Sequence, residues 1–137
     1  MKKEDKQLLL QDLCARLPYG VKFSFGCFNN NYEAKGVDLI VTDDGEWEYA
    51  VTAKGITPVE IKYIRYYLRP MSSMTEKEKE CVQTFMDIVT DENYGDGYSP
   101  SAWDAMNGFV QYCDSHHLDH RGLIFRGLAL EAPEGMY

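Results

Sequence analysis

The sequence predicts an α+β fold, a single compact domain of 137 residues in which an antiparallel sheet of three or four strands packs against three to four helices. Three observations predict this class. The chain begins with helical periodicity, continues with alternating apolar residues, and shows repeated helix-start signals in its second half. A chain of this length can bury a core without disulfides or a structural metal.

The first element is predicted to be an amphipathic helix over about residues 5 to 17. Apolar residues there recur at spacings of three and four: Leu10, Leu13, Cys14 and Leu17. Glu4 and Asp5 lie at its start, where the helix dipole favours acidic side chains. Pro18 is expected to end the helix, because a residue that precedes proline avoids the helical conformation.

The next segment is predicted to form three antiparallel strands. A period of two begins at Val21 and is carried by Val21, Phe23, Phe25 and Cys27. A second strand is expected from Val37 to Thr42, and Asp44-Gly45 favours a tight hairpin turn. The returning strand alternates Trp47, Tyr49 and Val51. Three such strands are the minimum for a sheet with one apolar face.

A short helix is predicted from Thr57 to about Leu68. The run Thr57-Pro-Val-Glu60 has the residues of a capping box, with proline at the first helical position. Ile61, Ile64 and Leu68 then share one helical face. A strand over Tyr63–Leu68 is the competing interpretation, because that run is rich in aromatic and β-branched residues.

Two longer helices are predicted in the second half. One begins with the capping box Thr75–Glu78 and continues to about Thr90; the other begins at Ser99-Pro100. An apolar stripe is expected on the latter: Trp103, Met106, Phe109, Val110, Cys113 and His117. We expect a last strand from Leu123 to Leu130, interrupted by Gly127, and an irregular segment after it.

Charge and cysteine content narrow the functional class. The formal net charge of −8 disfavours binding to a phosphate backbone, so no nucleic-acid partner is expected. No apolar stretch reaches the length of a membrane span or resembles a signal peptide. The four cysteines are far apart and lie within apolar patterns, which favours reduced, buried thiols. These features predict a cytoplasmic protein that does not bind membranes.

The three histidines lie within five residues, at His116, His117 and His120. Helical spacing would place His116 and His120 on one face, where they could share a metal with Asp114 or Asp119. The His-Glu-x-x-His motif of zinc hydrolases is absent. The alternative is a helix terminus that docks the C-terminal segment with His117 directed inward. We favour this structural interpretation, and no cofactor is predicted.

No other catalytic or metal-binding motif is complete. The loop Asp91–Tyr98 departs from a calcium loop at several positions, so a turn between two helices explains it better. There is no nucleophile elbow and no phosphate-binding glycine loop. Tyrosine and arginine are favoured at the centres of protein interfaces, and five of them lie close together. The predicted binding residues are Tyr63, Arg65, Tyr66, Tyr67 and Arg69.

Three parts of the chain resemble a family of small uncharacterised proteins from gut Bacteroidales, often found in phage or mobile-element surroundings. The strings are LLLQDLCARLPYGV at 8–21, YLRPMSSMTE at 67–76, and DHRGLI with GLALEAPEGMY at 119–124 and 127–137. The resemblance implies a cytoplasmic, phage-linked protein and no established activity. Members of the family carry tyrosine at the position of His120, and because tyrosine cannot replace a zinc-binding histidine, the resemblance argues against a metal site there.

The sequence therefore predicts a non-enzymatic module that binds another protein. The reasons are that the chain is rich in tyrosine and has no assembled catalytic site. Two alternatives stay open: a metal-dependent hydrolase that uses His116 and His120, and a small-molecule-binding domain with its pocket between sheet and helices. The oligomeric state cannot be derived from the sequence.

Overall fold

The predicted α+β class is confirmed by the computed structural model, which describes residues 1–26, 31–90 and 100–137. Its helices are α1 (Lys3–Arg16), α2 (Glu76–Thr90) and α3 (Pro100–Ser115). Its strands are β1 (Lys22–Phe25), β2 (Tyr32–Glu33), β3 (Gly36–Val41), β4 (Trp47–Thr52), β5 (Val59–Glu60), β6 (Ile64–Leu68) and β7 (Ala129–Glu131). The predicted loop Asp91–Tyr98 and the position of Cys27 lie outside the described residues.

The strands form two sheets, in the orders β2-β1-β6-β7 and β3-β4-β5. The pairs are antiparallel except for β6 and β7, which run parallel. The chain passes from one sheet to the other at Ala34 and Lys35. The backbone N–H of Ala34 bonds to the carbonyl of Val21 at 2.9 Å, and that of Lys35 bonds to Thr52 at 2.8 Å. This crossing separates β1 from the hairpin strands with which it was expected to pair.

The predicted helix over Thr57–Leu68 is wrong. β5 pairs with β4, a single 3-10 turn covers Ile61–Tyr63, and β6 pairs with β1. Along β6 the buried Ile64, Tyr66 and Leu68 alternate with more exposed residues, which is strand periodicity. The competing strand interpretation is correct for Ile64–Leu68, because pairing with β1 outweighs the local capping signal.

The buried face of α1 differs from the predicted stripe. Its fully buried residues are Leu9, Asp12, Leu13 and Arg16, and Cys14 is exposed. The spacing is still that of one helical face, but two of its four positions carry charge. Apolar residues alone could not locate this face, because Asp12 and Arg16 neutralise each other inside the protein.

The main core lies between α1 and the two sheets. Its fully buried members include Leu9, Leu13, Val21, Phe23, Val51, Ile64 and Leu123.

α2 and α3 pack closely together, since a Cβ added at Gly108 would lie 2.8 Å from Cε1 of Phe85. The predicted stripe on α3 is correct at the buried Cys113, but Trp103 and Met106 are exposed.

The chain returns to the first sheet after α3. Leu118 forms an isolated parallel bridge with Arg69, directly beyond the end of β6. The carboxylate of Asp119 then accepts hydrogen bonds from the backbone N–H groups of Leu123 and Ile124 at 2.8 and 2.9 Å. This turn explains why β7 is shorter than the predicted strand. No helix among the described residues is long and apolar enough to span a membrane.

Candidate functional site

A buried network of charged side chains lies where α1, β6 and the segment after α3 meet. Asp12 and Arg16 are both fully buried. They form a bidentate ion pair with nitrogen–oxygen distances of 2.8 and 3.1 Å. Arg16 Nη2 also donates to the carbonyl of Leu118 at 2.7 Å. The hydroxyl of Tyr66 donates to Asp12 Oδ2. Such additional hydrogen bonds offset part of the cost of burying an ion pair, although Arg16 Nη1 is buried without a hydrogen-bond partner.

A second carboxylate and a second guanidinium extend the network. Arg121 Nη1 lies 2.6 Å from Asp12 Oδ1 and 2.9 Å from Asp114 Oδ1. His120 Nε2 lies 2.9 Å from the same oxygen of Asp114. Burial raises the pKa of Asp114, but hydrogen bonds from His120 and Arg121 and the charge of Arg16 outweigh it, so this pKa is lowered. Two carboxylates therefore face two guanidinium groups, and their charges balance.

One set of potential metal ligands converges within this network. Single ligand atoms of Asp12, Asp114 and His120 all lie within 4.8 Å of one another, the one such set found among residues 1–26, 31–90 and 100–137. A divalent cation there would have to compete with Arg16 and Arg121 for the same oxygens. The geometry thus favours an ion-pair network over a metal centre.

The two histidines of the predicted metal pair have different neighbours in this arrangement. The ring of His116 stacks on Tyr112 with centroids 4.0 Å apart, and its Nδ1 lies 2.8 Å from the carbonyl of Tyr112. His120 instead joins Asp114. The helix ends at Ser115, so the helical spacing on which the pair depended does not apply to residues 116–120.

His117 is directed inward, as predicted, and is buried in an unusual backbone conformation. Its φ of 60° is in the left-handed region, where histidine is among the more tolerant residues. Its ring stacks on that of Tyr137 with centroids 3.6 Å apart. Burial, aided by the positive charges of Arg16 and Arg69, lowers the pKa of His117 to about 4. The imidazole is therefore neutral at physiological pH.

A polar cleft of about 760 Å³ lies between the start of α2 and residues 131–135. Arg69 at this cleft forms a bidentate ion pair with Glu78, with nitrogen–oxygen distances of 2.7 and 2.8 Å. Hydrogen bonds from Arg69 hold the pKa of Glu78 down at about 2. These two charges are joined to each other, and Lys77, Glu131 and Glu134 also line the cleft.

The predicted binding residues are dispersed by the strand geometry of β6. Tyr66 is fully buried in the charged network, Arg69 is held by Glu78, and the carbonyl of Tyr67 accepts the hydroxyl of Tyr137 at 2.8 Å. Tyr63 and Arg65 are exposed and line a separate groove of about 680 Å³. The binding role of these two residues remains a prediction.

A different surface has the composition of a contact site. It comprises the four exposed apolar side chains on one face of the β3–β4 hairpin, here named the apolar hairpin face: Leu39, Val41, Trp47 and Tyr49. Their exposed fractions are 52%, 55%, 69% and 43% in that order. Leu39 stands opposite Tyr49 and Val41 opposite Trp47, so the four form two adjacent cross-strand pairs.

The same face of the hairpin is buried at its other end. Val37 stands opposite Val51, which is fully buried and belongs to the main core. The hairpin therefore extends beyond the core and carries its apolar alternation into solvent. Alternation alone predicted a half-buried strand, but it contains no signal for the point at which the core ends.

No protein-family model, curated protein or solved structure matches this chain.

Proposed function

We propose that the protein is a non-enzymatic protein-binding module and that the apolar hairpin face is its contact surface. The observation that carries this proposal is the exposure of two adjacent apolar cross-strand pairs, with Trp47 69% exposed. Contiguous exposed apolar side chains are uncommon on monomeric proteins unless they serve binding. Tryptophan and tyrosine are also the residues most often found at the energetic centres of interfaces.

The interior of the protein supports a non-enzymatic role. The most elaborate polar cluster of the described chain joins Asp12, Arg16, Asp114 and Arg121 into a charge-balanced network. The members of this network are held by one another inside the fold, whereas a catalytic group needs access to substrate. We further propose that the protein is cytoplasmic and acts in the phage or mobile-element setting that its resemblance implies.

Site-specific photo-cross-linking in the native host tests the contact surface. Benzoylphenylalanine is placed at Trp47 in the full chain, and the matched control places it at Phe125, which is 96% exposed and lies outside the hairpin. We expect a discrete cross-linked adduct from position 47, and its loss when Leu39→Ser is added. Equal adducts from both positions, or none from position 47 in a folded protein, would refute the proposal.

A metal-dependent activity is the weaker second candidate, supported by the convergence of Asp12, Asp114 and His120. Elemental analysis of protein purified without a histidine tag tests it directly. Stoichiometric zinc, iron or manganese would support this candidate, and the absence of all three metals would exclude it.

A further inference from the structure

We infer that the partner of the apolar hairpin face is a basic, extended polypeptide segment that adds as a strand to the free edge of β3. This inference rests on the proposed function, because it names the class of partner for the same surface. It is carried by two independent features of the hairpin: its charge, and an edge of β3 that pairs with no strand among the described residues.

The hairpin concentrates the negative charge of the protein. Residues 36–53 contain five acidic residues and neither lysine nor arginine, which gives −5 of the net −8 of the whole chain. The acidic residues are Asp38, Asp43, Asp44, Glu46 and Glu48. Glu48 pairs with Lys6 of α1 at 2.7 Å, while the other four are exposed and have no ion pair within the described part of the chain. An apolar surface bordered by unpaired carboxylates is complementary to lysine and arginine side chains.

β3 provides an edge at which a strand can pair. It is the outer strand of the order β3-β4-β5, so β4 lies on one side and no described strand lies on the other. Proteins commonly protect such an edge with lysine, proline or a bulge. β3 spans six residues, Gly36–Val41, and contains neither lysine nor proline. Its one charged residue is Asp38, whose carboxylate accepts the backbone N–H of Leu39 at 3.1 Å, a local bond that an added strand would replace. Strand addition to an exposed edge is an established mode of peptide recognition.

The edge and the apolar face are adjacent. Leu39 and Val41 belong to β3 itself and point to the face that carries Trp47 and Tyr49. A strand added about 4.8 Å from β3 would place alternate side chains beside Leu39 and Val41. Its remaining side chains and its ends would lie near the exposed carboxylates. The fitting sequence therefore alternates aliphatic or aromatic residues with lysine or arginine.

A second copy of this chain fits the surface poorly. Pairing of β3 with β3 would bring together two hairpins of charge −5 each, and like charges across an interface oppose association. Charge complementarity therefore favours a basic partner over self-association.

A peptide-display selection against the full chain tests the inference. A randomised ten-residue library is selected on the wild-type protein and counter-selected on the Leu39→Ser/Trp47→Ser variant, whose fold is checked by circular dichroism. We expect the enriched peptides to alternate basic and apolar residues. The affinity of a synthetic representative should fall roughly tenfold or more between low and high salt, because the attraction is screened.

A charge-neutral variant and backbone NMR extend the test. With Asp38→Asn, Asp43→Asn, Asp44→Asn and Glu46→Gln combined, we expect the basic peptide to bind about tenfold more weakly, because only Glu48, which pairs with Lys6, keeps its charge. Binding should also perturb the backbone amide signals of β3 more than those of β5. Unchanged affinity in the charge-neutral variant, or no preferential change in β3, would overturn the inference.

The outcomes separate this inference from the proposed function. Peptides that depend on the hairpin but show no excess of lysine or arginine would overturn the basic-partner inference and leave the proposed function standing. Failure to enrich any hairpin-dependent peptide would count against both. A dimer seen by sedimentation, lost in the Leu39→Ser/Trp47→Ser variant, would replace the basic segment with a second copy as the occupant.

Discussion

At the scale of single residues, the buried pair of Asp12 and Arg16 shows what a sequence pattern cannot reveal. Both side chains are fully buried, yet charged residues on a helix are ordinarily assigned to solvent. Their partners Tyr66, Asp114 and Arg121 come from distant parts of the chain. The four-residue spacing is compatible with an ion pair on either face of α1, so only the folded structure identifies the buried one.

Arg16→Met should strongly destabilise the protein. The substitution keeps a long apolar side chain but leaves the buried carboxylate of Asp12 without the guanidinium that contacts both of its oxygens. Removal of one partner of a buried ion pair costs about 3–5 kcal/mol. We expect the free energy of unfolding, measured by urea denaturation, to fall by about this amount. The lower end of the range is favoured because Arg121 still contacts Asp12.

The matched control is Arg126→Met. The side chain of Arg126 is 53% exposed and pairs with Asp5 at 3.4 Å. An exposed pair of this kind contributes up to about 1 kcal/mol. If the two arginine variants lost equal stability, the buried network would not stabilise the fold as an ion-pair system.

At the scale of secondary-structure elements, local capping and turn sequences predicted the structure correctly where no strand pairing competed with them. The capping box at Thr75–Glu78 correctly marks the start of α2, and the hairpin turn correctly joins β3 and β4. A similar signal at Thr57–Glu60 gave a wrong prediction, because Val59 and Glu60 pair with β4 and residues 64–66 pair with β1. A capping sequence makes a helix possible, but hydrogen bonding to a neighbouring strand stabilises the extended conformation more strongly.

Thr75→Ala tests the capping box of α2. Thr75 Oγ1 accepts the backbone N–H of Glu78 at 3.2 Å, and Glu78 Oε1 accepts the N–H of Thr75 at 2.9 Å. Loss of the first bond should lower the free energy of unfolding by about 1 kcal/mol, as for other N-cap substitutions. Chemical denaturation of the purified variant provides the measurement.

Thr84→Ala is the control within the same helix. Thr84 is exposed, and its hydroxyl donates only to the carbonyl of Glu80 one turn earlier. Alanine has the higher helix propensity, so this variant should keep or slightly gain stability. A loss as large as that of Thr75→Ala would contradict the capping assignment.

At the scale of the whole molecule, the histidine segment is a junction between distant parts of the chain. The backbone N–H of Arg69 bonds to the carbonyl of His117, and that of Asp119 bonds to the carbonyl of Arg69. The hydroxyl of Tyr137 accepts the N–H of Lys22 and donates to the carbonyl of Tyr67. The spacing of the histidines indicated chemistry, but contacts that link β1, β6 and residues 117–119 give the segment its structural role. Such long-range contacts leave no local pattern in a sequence.

This junction should make stability depend on pH. The pKa of His117 is about 4 in the folded protein and about 6.5 in an unfolded chain. Between pH 6.5 and about 4, His117 is therefore protonated in the unfolded chain but stays neutral in the folded protein. The stabilisation is complete above pH 6.5 and is lost progressively as pH falls towards 4. The loss from this one group amounts to at most about 3 kcal/mol.

Deletion of residues 133–137 should weaken this pH dependence. The deletion removes the Tyr137 ring from His117, and burial is the main cause of the lowered pKa, so that pKa should rise towards its ordinary value. NMR titration of the His117 imidazole measures the pKa, and urea unfolding at pH 7.5 and 4.5 measures the stability difference. Tyr137→Phe is the control, because it keeps the stacked ring and should keep the low pKa. A pKa that stayed near 4 after the deletion would show that burial by other residues alone holds His117 neutral.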